Sequence, residues 1–180
     1  MPGPTFLSGD RTTLHPATED DLPFLLENEN DERVRRTRSG ALPTAAGEFR
    51  PRLGGTTGRS DDTLVLLVVA DGDPVGLVYL IRERPNDDTF RRAELAYWIA
   101  PDEWGNGYAT DASRAVLAHG FDAIGLHKVT ATAFEHNPAS RRVLEKAGFE
   151  GEGVHRAEAY VDGEWRDIHR YGLLAGEFDG

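Results

Sequence analysis

A chain of 180 residues with 31 acidic and 20 basic side chains, a net charge of −11 and no cysteine is long enough to bury one real core. It excludes disulfides, thiolate metal sites and a cysteine nucleophile. It also argues against nucleic-acid binding, which demands a basic surface. No apolar run of the ~18 residues needed for a membrane span occurs, and MPGPTFLSGD lacks a basic start and an apolar segment, so the expected location is cytoplasmic. The acidity fits a solvated surface in a high-salt cytoplasm, with a halophilic source, or attraction for a cationic substrate. One domain over residues 1–180 is expected, with residues 1–10 a loose N-terminal segment.

In chain order, RTTLHPAT alternates like a short strand. TEDDLPFLLENEN follows as a helix, with Thr18 as its cap, acids in the first turn and Leu22, Leu25 and Leu26 behind. The arginine-rich stretch from Asp31 to Leu53 predicts a short helix, a turn and another short helix near Thr44 to Arg52, and GGTTGRSDD breaks the pattern. TLVLLVVADGDPVGLVYLIRER is a hairpin around an Asp-Gly turn. A polar turn, PNDD, leads to the strand RRAELAYWIAP, which stops at Pro101 because proline has no N–H to pair.

EWGNGYATDASRAVLAHGF is a glycine-rich turn that becomes a helix, and HKVTATAF alternates as a strand. NPASRRVLEKAGF is a helix capped by Asn137, with Pro138 first and Gly148 beyond its end. Two strands, near Glu150 to Val161 and Glu164 to Leu174, are joined by VDGE. The order is that of an α/β (mixed α+β) protein, a mixed sheet with helices over its faces.

The mouth of the glycine helix is the most informative stretch. Gly105, Gly107 and Ala109 leave almost nothing projecting, so the N–H groups of Asn106 to Thr110 can close around an anion at the positive end of the helix dipole. A P-loop would need a Lys-Ser/Thr pair where Tyr108 and Ala109 stand. A dinucleotide fingerprint fails at Thr110 and lacks parallel β-α-β units. The bland alternative is a tight strand-to-helix turn. His15, His119, His127, His136, His155 and His169 are scattered, so no metal is expected.

WGNGYAT resembles the pyrophosphate loop of the GNAT N-acetyltransferases, Gln/Arg-x-x-Gly-x-Gly/Ala, and NPASRRVLEKAGFE is similar to their second motif, Asn-x-x-Ser/Ala followed by a helix and Gly-Phe. The likeness runs from TLHPATEDDLPFLLENEND to VDGEWRDIHRYGLL and is greatest to the RimJ/RimL-type branch of ribosomal-protein-alanine acetyltransferases. It implies a central, mostly antiparallel sheet of six to seven strands with a splayed pair at the CoA site. The anion becomes the pyrophosphate of acetyl-CoA, held by Gly105, Asn106, Gly107, Tyr108, Ala109 and Thr110. Trp104 replaces the motif's Gln/Arg, so that polar side chain is lost while the backbone nest remains. Backbone groups of Trp98, Ile99 and Ala100 would hold the pantetheine arm, although Trp98 also fits a core aromatic.

The implied reaction is acetyl transfer to a primary amine, which needs a proton acceptor, oxyanion donors and help for the departing thiolate. A backbone N–H near Ile99 is the family-like oxyanion donor. The tyrosine that many relatives carry in the second-motif helix is Leu144 here, and Ser140, one turn after Asn137, is the RimL-like thiolate donor. Asn137 caps the helix and is placed to touch CoA. Glu94 is the first choice of base, the alternative being a carboxylate paired with Arg91 or Arg92. Glu158 is the second, one residue out of the RimL-like register, with Tyr160 offering a hydroxyl to the acceptor pocket. The arginines of DERVRRTRSG are read as a solvated face, or else as acceptor or CoA-phosphate contacts. The acceptor is a protein N-terminus or a small amine such as an amino acid, polyamine or antibiotic. No nucleic acid, membrane or metal is involved, and the chain is a monomer or homodimer. A non-catalytic acyl-CoA sensor is the alternative class.

Overall fold

The computed structural model describes residues 3–38, 42–54, 63–82 and 89–180. The expected PNDD turn and most of GGTTGRSDD lie outside these residues. The strands are β1 (Leu7–Ser8), β2 (Thr13–His15), β3 (Thr63–Ala70), β4 (Asp73–Arg82), β5 (Arg92–Ile99), β6 (Lys128–Phe134), β7 (Glu150–Val161) and β8 (Glu164–Leu174). The helices are α1 (Leu22–Asn30), α2 (Glu32–Arg36), α3 (Ala46–Phe49), α4 (Tyr108–Asp122) and α5 (Pro138–Lys146).

The strands form one eight-stranded sheet in the order β1-β2-β3-β4-β5-β6-β8-β7. Every neighbouring pair is antiparallel except β5 and β6. The expected six to seven strands become eight because β1, only two residues long, adds an edge. The N-terminal segment is also not loose over its described part. Phe6 N–H donates to the Leu14 carbonyl, Leu7 and Ser8 pair with Leu14 and Thr13, and His15 Nδ1 lies 2.7 Å from the Gly3 carbonyl oxygen.

Two-residue alternation along β3 feeds two cores. Leu66, Val68 and Ala70 join Ala112, Val116, Leu117 and Phe121 of α4, Leu144 of α5 and Ala147 just past its end. Val65, Leu67 and Val69 face the other way, onto Leu22 and Leu25 of α1, Val34 of α2 and Phe49 of α3. Helices α4 and α5 therefore cover one face and α1 to α3 the other. Near-complete burial on both sides explains why β3 and β4 read as apolar runs rather than as alternating patterns.

Local chemistry sets the boundaries. The Asp21 carboxylate accepts both the N–H and the hydroxyl of Thr18, each at 2.8 Å, starting a short 3-10 turn that leads into α1. Asn137 Oδ1 accepts the Ser140 N–H at 3.1 Å and caps α5, whose first residue is Pro138. At the far end of β4, Gly76 faces Ile99, where a Cβ would collide with the Trp98 carbonyl oxygen. A bare α-carbon at this position lets the end of β5 lie close against β4.

Candidate active site

β5 and β6 are paired only at Arg92, Ala93 and Glu94 against Lys128, Val129 and Thr130. Beyond Glu94 the strands part. A cleft of about 530 Å3 opens between Leu95–Ile99 on one side and Ala131–Phe134 on the other, and is lined as well by the Trp104–Thr110 loop and by α5.

Hydrogen bonding fixes which backbone groups face this cleft. Ala100 N–H donates to the Val75 carbonyl at 2.8 Å, so by strand alternation the main-chain groups of Trp98 also point toward β4. Those of Leu95, Tyr97 and Ile99 point toward the opening. Of the three residues expected to hold an arm laid in the cleft, only Ile99 presents its backbone there. Tyr97 and Leu95 present theirs in the same direction because the repeat along a strand is two residues. Trp98 instead buries its ring, 4% exposed, in the core beneath α1.

The glycine loop leaves the start of α4 bare of side chains. Gly105 and Gly107 have φ of +88° and +83°, conformations in which a Cβ is strained, and Gly107 is the N-cap of α4 with no side chain to satisfy the helix N–H groups. Asn106 Nδ2 donates to the Glu103 carboxylate at 3.1 Å. Arg11 Nη1 donates to the Asn106 carbonyl at 2.9 Å, so a guanidinium from the turn between β1 and β2 braces the loop. Trp104, where the family motif carries Gln or Arg, donates its indole N–H to the Ile99 carbonyl at 2.8 Å. It thereby ties the loop to the end of β5.

Asp111 would oppose an anion if its carboxylate faced the mouth. It is turned aside: it accepts the N–H groups of Asp10 and Thr12 at 2.9 Å and of Arg11 at 3.1 Å, and the Thr12 hydroxyl at 2.7 Å.

On the α5 side of the cleft, half-buried Ser140 lies with its Oγ 3.0 Å from the Tyr97 hydroxyl. That hydroxyl also donates to the Ser140 carbonyl at 3.2 Å. Burial pushes the Tyr97 phenol up to about 12, the Ser140 hydrogen bond opposing the rise, so the group is a protonated donor at neutral pH. Leu144, in place of the helix tyrosine, is buried at 1% exposure. Glu94 lines the cleft, with Thr132 Oγ1 3.5 Å from its Oε1. Glu158 and Tyr160 are not among the cleft residues. Glu158 lies on the edge strand β7, 3.7 Å from His155 Nδ1, and Tyr160 packs on Trp165 with ring centroids 5.3 Å apart. The register of β7 shifts between His155 and Ala159, so counting residues along this strand did not give the facing of Glu158.

Beneath α1 the cleft meets a buried polar group that sequence patterning missed. Glu29, 2% exposed, accepts the Trp98 indole N–H at 2.9 Å and the Tyr79 hydroxyl at 3.5 Å, and pairs with Arg38. Arg38 and Tyr79 line the cleft. Burial pushes the Arg38 guanidinium below its usual value and the Tyr79 phenol above its own. The arginines expected on a solvated face thus divide. Arg33 pairs with Asp31 and Asp102 and Arg36 with Glu32 and Asp162 at the surface, while Arg38 turns inward. Tyr97 was missed for a simpler reason. It alternates with Glu94, Ala96 and Trp98 and so faces α5, where a polar-tipped aromatic between Leu95 and Ile99 needs a hydrogen-bond partner. Among the described residues no group of three or more His, Asp or Glu is placed to hold a metal.

A sheet opened between β5 and β6 beneath a glycine-capped helix is the arrangement expected of the GNAT class. Residues 11–150 match the acetyltransferase (GNAT) domain, and the chain belongs to that family. It is 42% identical over 84 residues to the uncharacterized N-acetyltransferase YoaA of Bacillus subtilis, covering 47% of this chain and 48% of YoaA. To the spermidine N(1)-acetyltransferase of Escherichia coli K12 it is 31% identical over 112 residues, 62% of this chain and 59% of the relative. The chain thus spans about half to three fifths of the length of these curated relatives. Mycobacterium smegmatis RimJ, solved in complex with CoA-disulfide, superposes with a TM-score of 0.81 at 26% identity, over 99% of this chain and 89% of RimJ.

Proposed function

We propose that the chain transfers the acetyl group of acetyl-CoA to a primary amine. One observation carries this reading: the parting of β5 from β6 leads directly from the mouth of α4 to Ser140. A diphosphate fits the N–H groups from Gly105 to Thr110. An extended amide-bearing arm fits along the main-chain groups of Ile99 and Tyr97, as an added strand would, and brings its thioester toward Ser140. RimJ, which superposes on the chain and was solved with a CoA-disulfide, supports CoA as the carrier.

In the reaction, an unprotonated amine attacks the thioester carbonyl. Glu94 accepts the amine proton directly or through water, a cleft-facing β5 N–H that the arm leaves free stabilises the oxyanion, and Ser140 donates to the departing thiolate. Two acceptor classes have support. The RimJ superposition favours a protein N-terminal α-amine, and the E. coli relative favours a polyamine. Of these we favour the N-terminal amine, because the motifs of the sequence resemble the RimJ/RimL-type branch most. Thiol release measured with acetyl-CoA across a panel of N-terminal peptides, spermidine and free amino acids tests the choice. A kcat/KM for spermidine above that for every peptide would reverse it.

A further inference from the structure

Ser140 has one hydroxyl proton and two places to spend it: the thiolate in the cleft or the phenol oxygen behind it. Tyr97 decides between them. Its hydroxyl is 3.0 Å from Ser140 Oγ and 3.2 Å from the Ser140 carbonyl oxygen. The hydroxyl is held there by a strand on one side and by α5 on the other, so neither group can drift from its partner without disturbing the sheet or the Asn137 cap. We infer that Tyr97 is a positioning residue for the acetyl-transfer step: its single O–H, shared at rest between the Ser140 carbonyl and Ser140 Oγ, turns fully to Oγ as the C–S bond breaks, so that the serine proton is directed at the sulfur. The inference rests on the acetyl-transfer reading given above.

The chemistry can be balanced atom by atom. The amine nitrogen forms a bond to the acetyl carbon, the carbonyl π electrons move to oxygen, and on collapse the C–S electron pair leaves on sulfur. That thiolate accepts a hydrogen bond from Ser140 Oγ–H, and Oγ, growing more negative, accepts a stronger one from Tyr97. No proton need leave Tyr97. A thiolate whose acid has the ordinary thiol value near 8.5 is a far weaker base than the phenolate of a tyrosine pushed up to about 12. The two hydroxyls therefore form a relay of hydrogen bonds, not of protons, and the thiol takes its proton from solvent after release. Hydrogen bonds in such a chain polarise one another, which strengthens the serine as a donor.

This arrangement also makes sense of Leu144. A tyrosine in the second-motif helix would reach the sulfur from α5 itself. Here that position is buried in the core, and the phenol comes instead from β5, behind the serine and through it.

The test is a double-mutant cycle on the full chain, with kcat, KM for acetyl-CoA and thermal melting measured for the wild type, Tyr97→Phe, Ser140→Ala and the double variant. Tyr97→Phe removes only the hydroxyl. It should lower kcat about tenfold, below the loss for a donor that touches the reacting atoms directly, with KM for acetyl-CoA unchanged. Ser140→Ala should lose more, and adding Tyr97→Phe to Ser140→Ala should cost nothing further, because Tyr97 acts only through the serine. The pH profile of Tyr97→Phe between pH 6 and 9 should parallel that of the wild type, since no proton leaves the phenol. Multiplying losses in the double variant, or an unchanged kcat for Tyr97→Phe, would overturn the inference while leaving acetyl transfer intact. A wild-type protein that releases no thiol with any amine would instead overturn the functional reading beneath it, and the inference with it.

Discussion

Thr12 and Asp111 are joined twice, by the Thr12 N–H at 2.9 Å and the Thr12 hydroxyl at 2.7 Å, both to the same carboxylate oxygen. The link ties the turn between β1 and β2 to the first turn of α4. It also turns the Asp111 carboxylate toward the turn between β1 and β2. Asp111→Ala removes the acceptor for Asp10, Arg11 and Thr12 together. The expected loss is about 2 to 3 kcal/mol of stability, on the scale of several hydrogen bonds to a charged group, with weaker acetyl-CoA binding because Arg11 no longer braces the Asn106 carbonyl. Urea unfolding and calorimetric titration with acetyl-CoA measure the two effects. Binding unchanged in a destabilised variant would separate the turn from the site.

Gly107 separates backbone strain from charge. At a φ of +83°, Gly107→Ala should cost about 1 kcal/mol and leave measurable acetyl-CoA affinity. Gly107→Glu should abolish affinity while the protein still folds, because it places bulk and negative charge where the backbone must approach a diphosphate. Equal affinity in the two variants by calorimetry would remove the loop from the site.

The buried tyrosines predict an alkaline limit. Burial raises the phenols of Tyr97, Tyr79 and Tyr171, Tyr97 to about 12. A raised phenol favours the folded state fully below the unfolded value near 10, and the benefit disappears as pH climbs through the folded value. For Tyr97 alone this is about 2 to 3 kcal/mol, lost between pH 10 and 12. Denaturant midpoints should fall across that window, and less so in Tyr97→Phe. A midpoint as pH-dependent in Tyr97→Phe as in the wild type would contradict the assignment.

The net charge of −11 predicts a salt response. If the acidic surface is a high-salt adaptation, the melting temperature should rise steeply with potassium chloride as self-repulsion is screened. A flat melting temperature into the molar range would count against that reading.

Much of the frame was legible because local chemistry wrote it. The Asp71-Gly72 turn, the stop at Pro101, the Asn137 cap and the hairpin from Glu150 to Leu174 all depend on residues close in sequence. β1 was not legible, because two residues become a strand only through pairing with β2 and the Asp111 anchor. Glu29 was not legible either: in ENEN it reads as a solvated acid, and only the fold brings Trp98, Tyr79 and Arg38 around it. The glycine mouth could be read from composition, whereas the backbone groups lining the cleft depended on β4 register. Tyr97 was missed because attention to Glu94 and Trp98 followed one strand face, and the serine's partner stands on the other.

Acetyl transfer itself is tested most directly by following thiol release and acetylated product together, with the wild-type chain, excess acetyl-CoA and a peptide bearing a free N-terminal amine. The account predicts multiple turnovers per chain, one acetylated amine for each thiol released, and neither product with Gly107→Glu. Acetyl-CoA that binds in the cleft but stays intact across the whole amine panel would contradict it and leave the chain an acyl-CoA sensor.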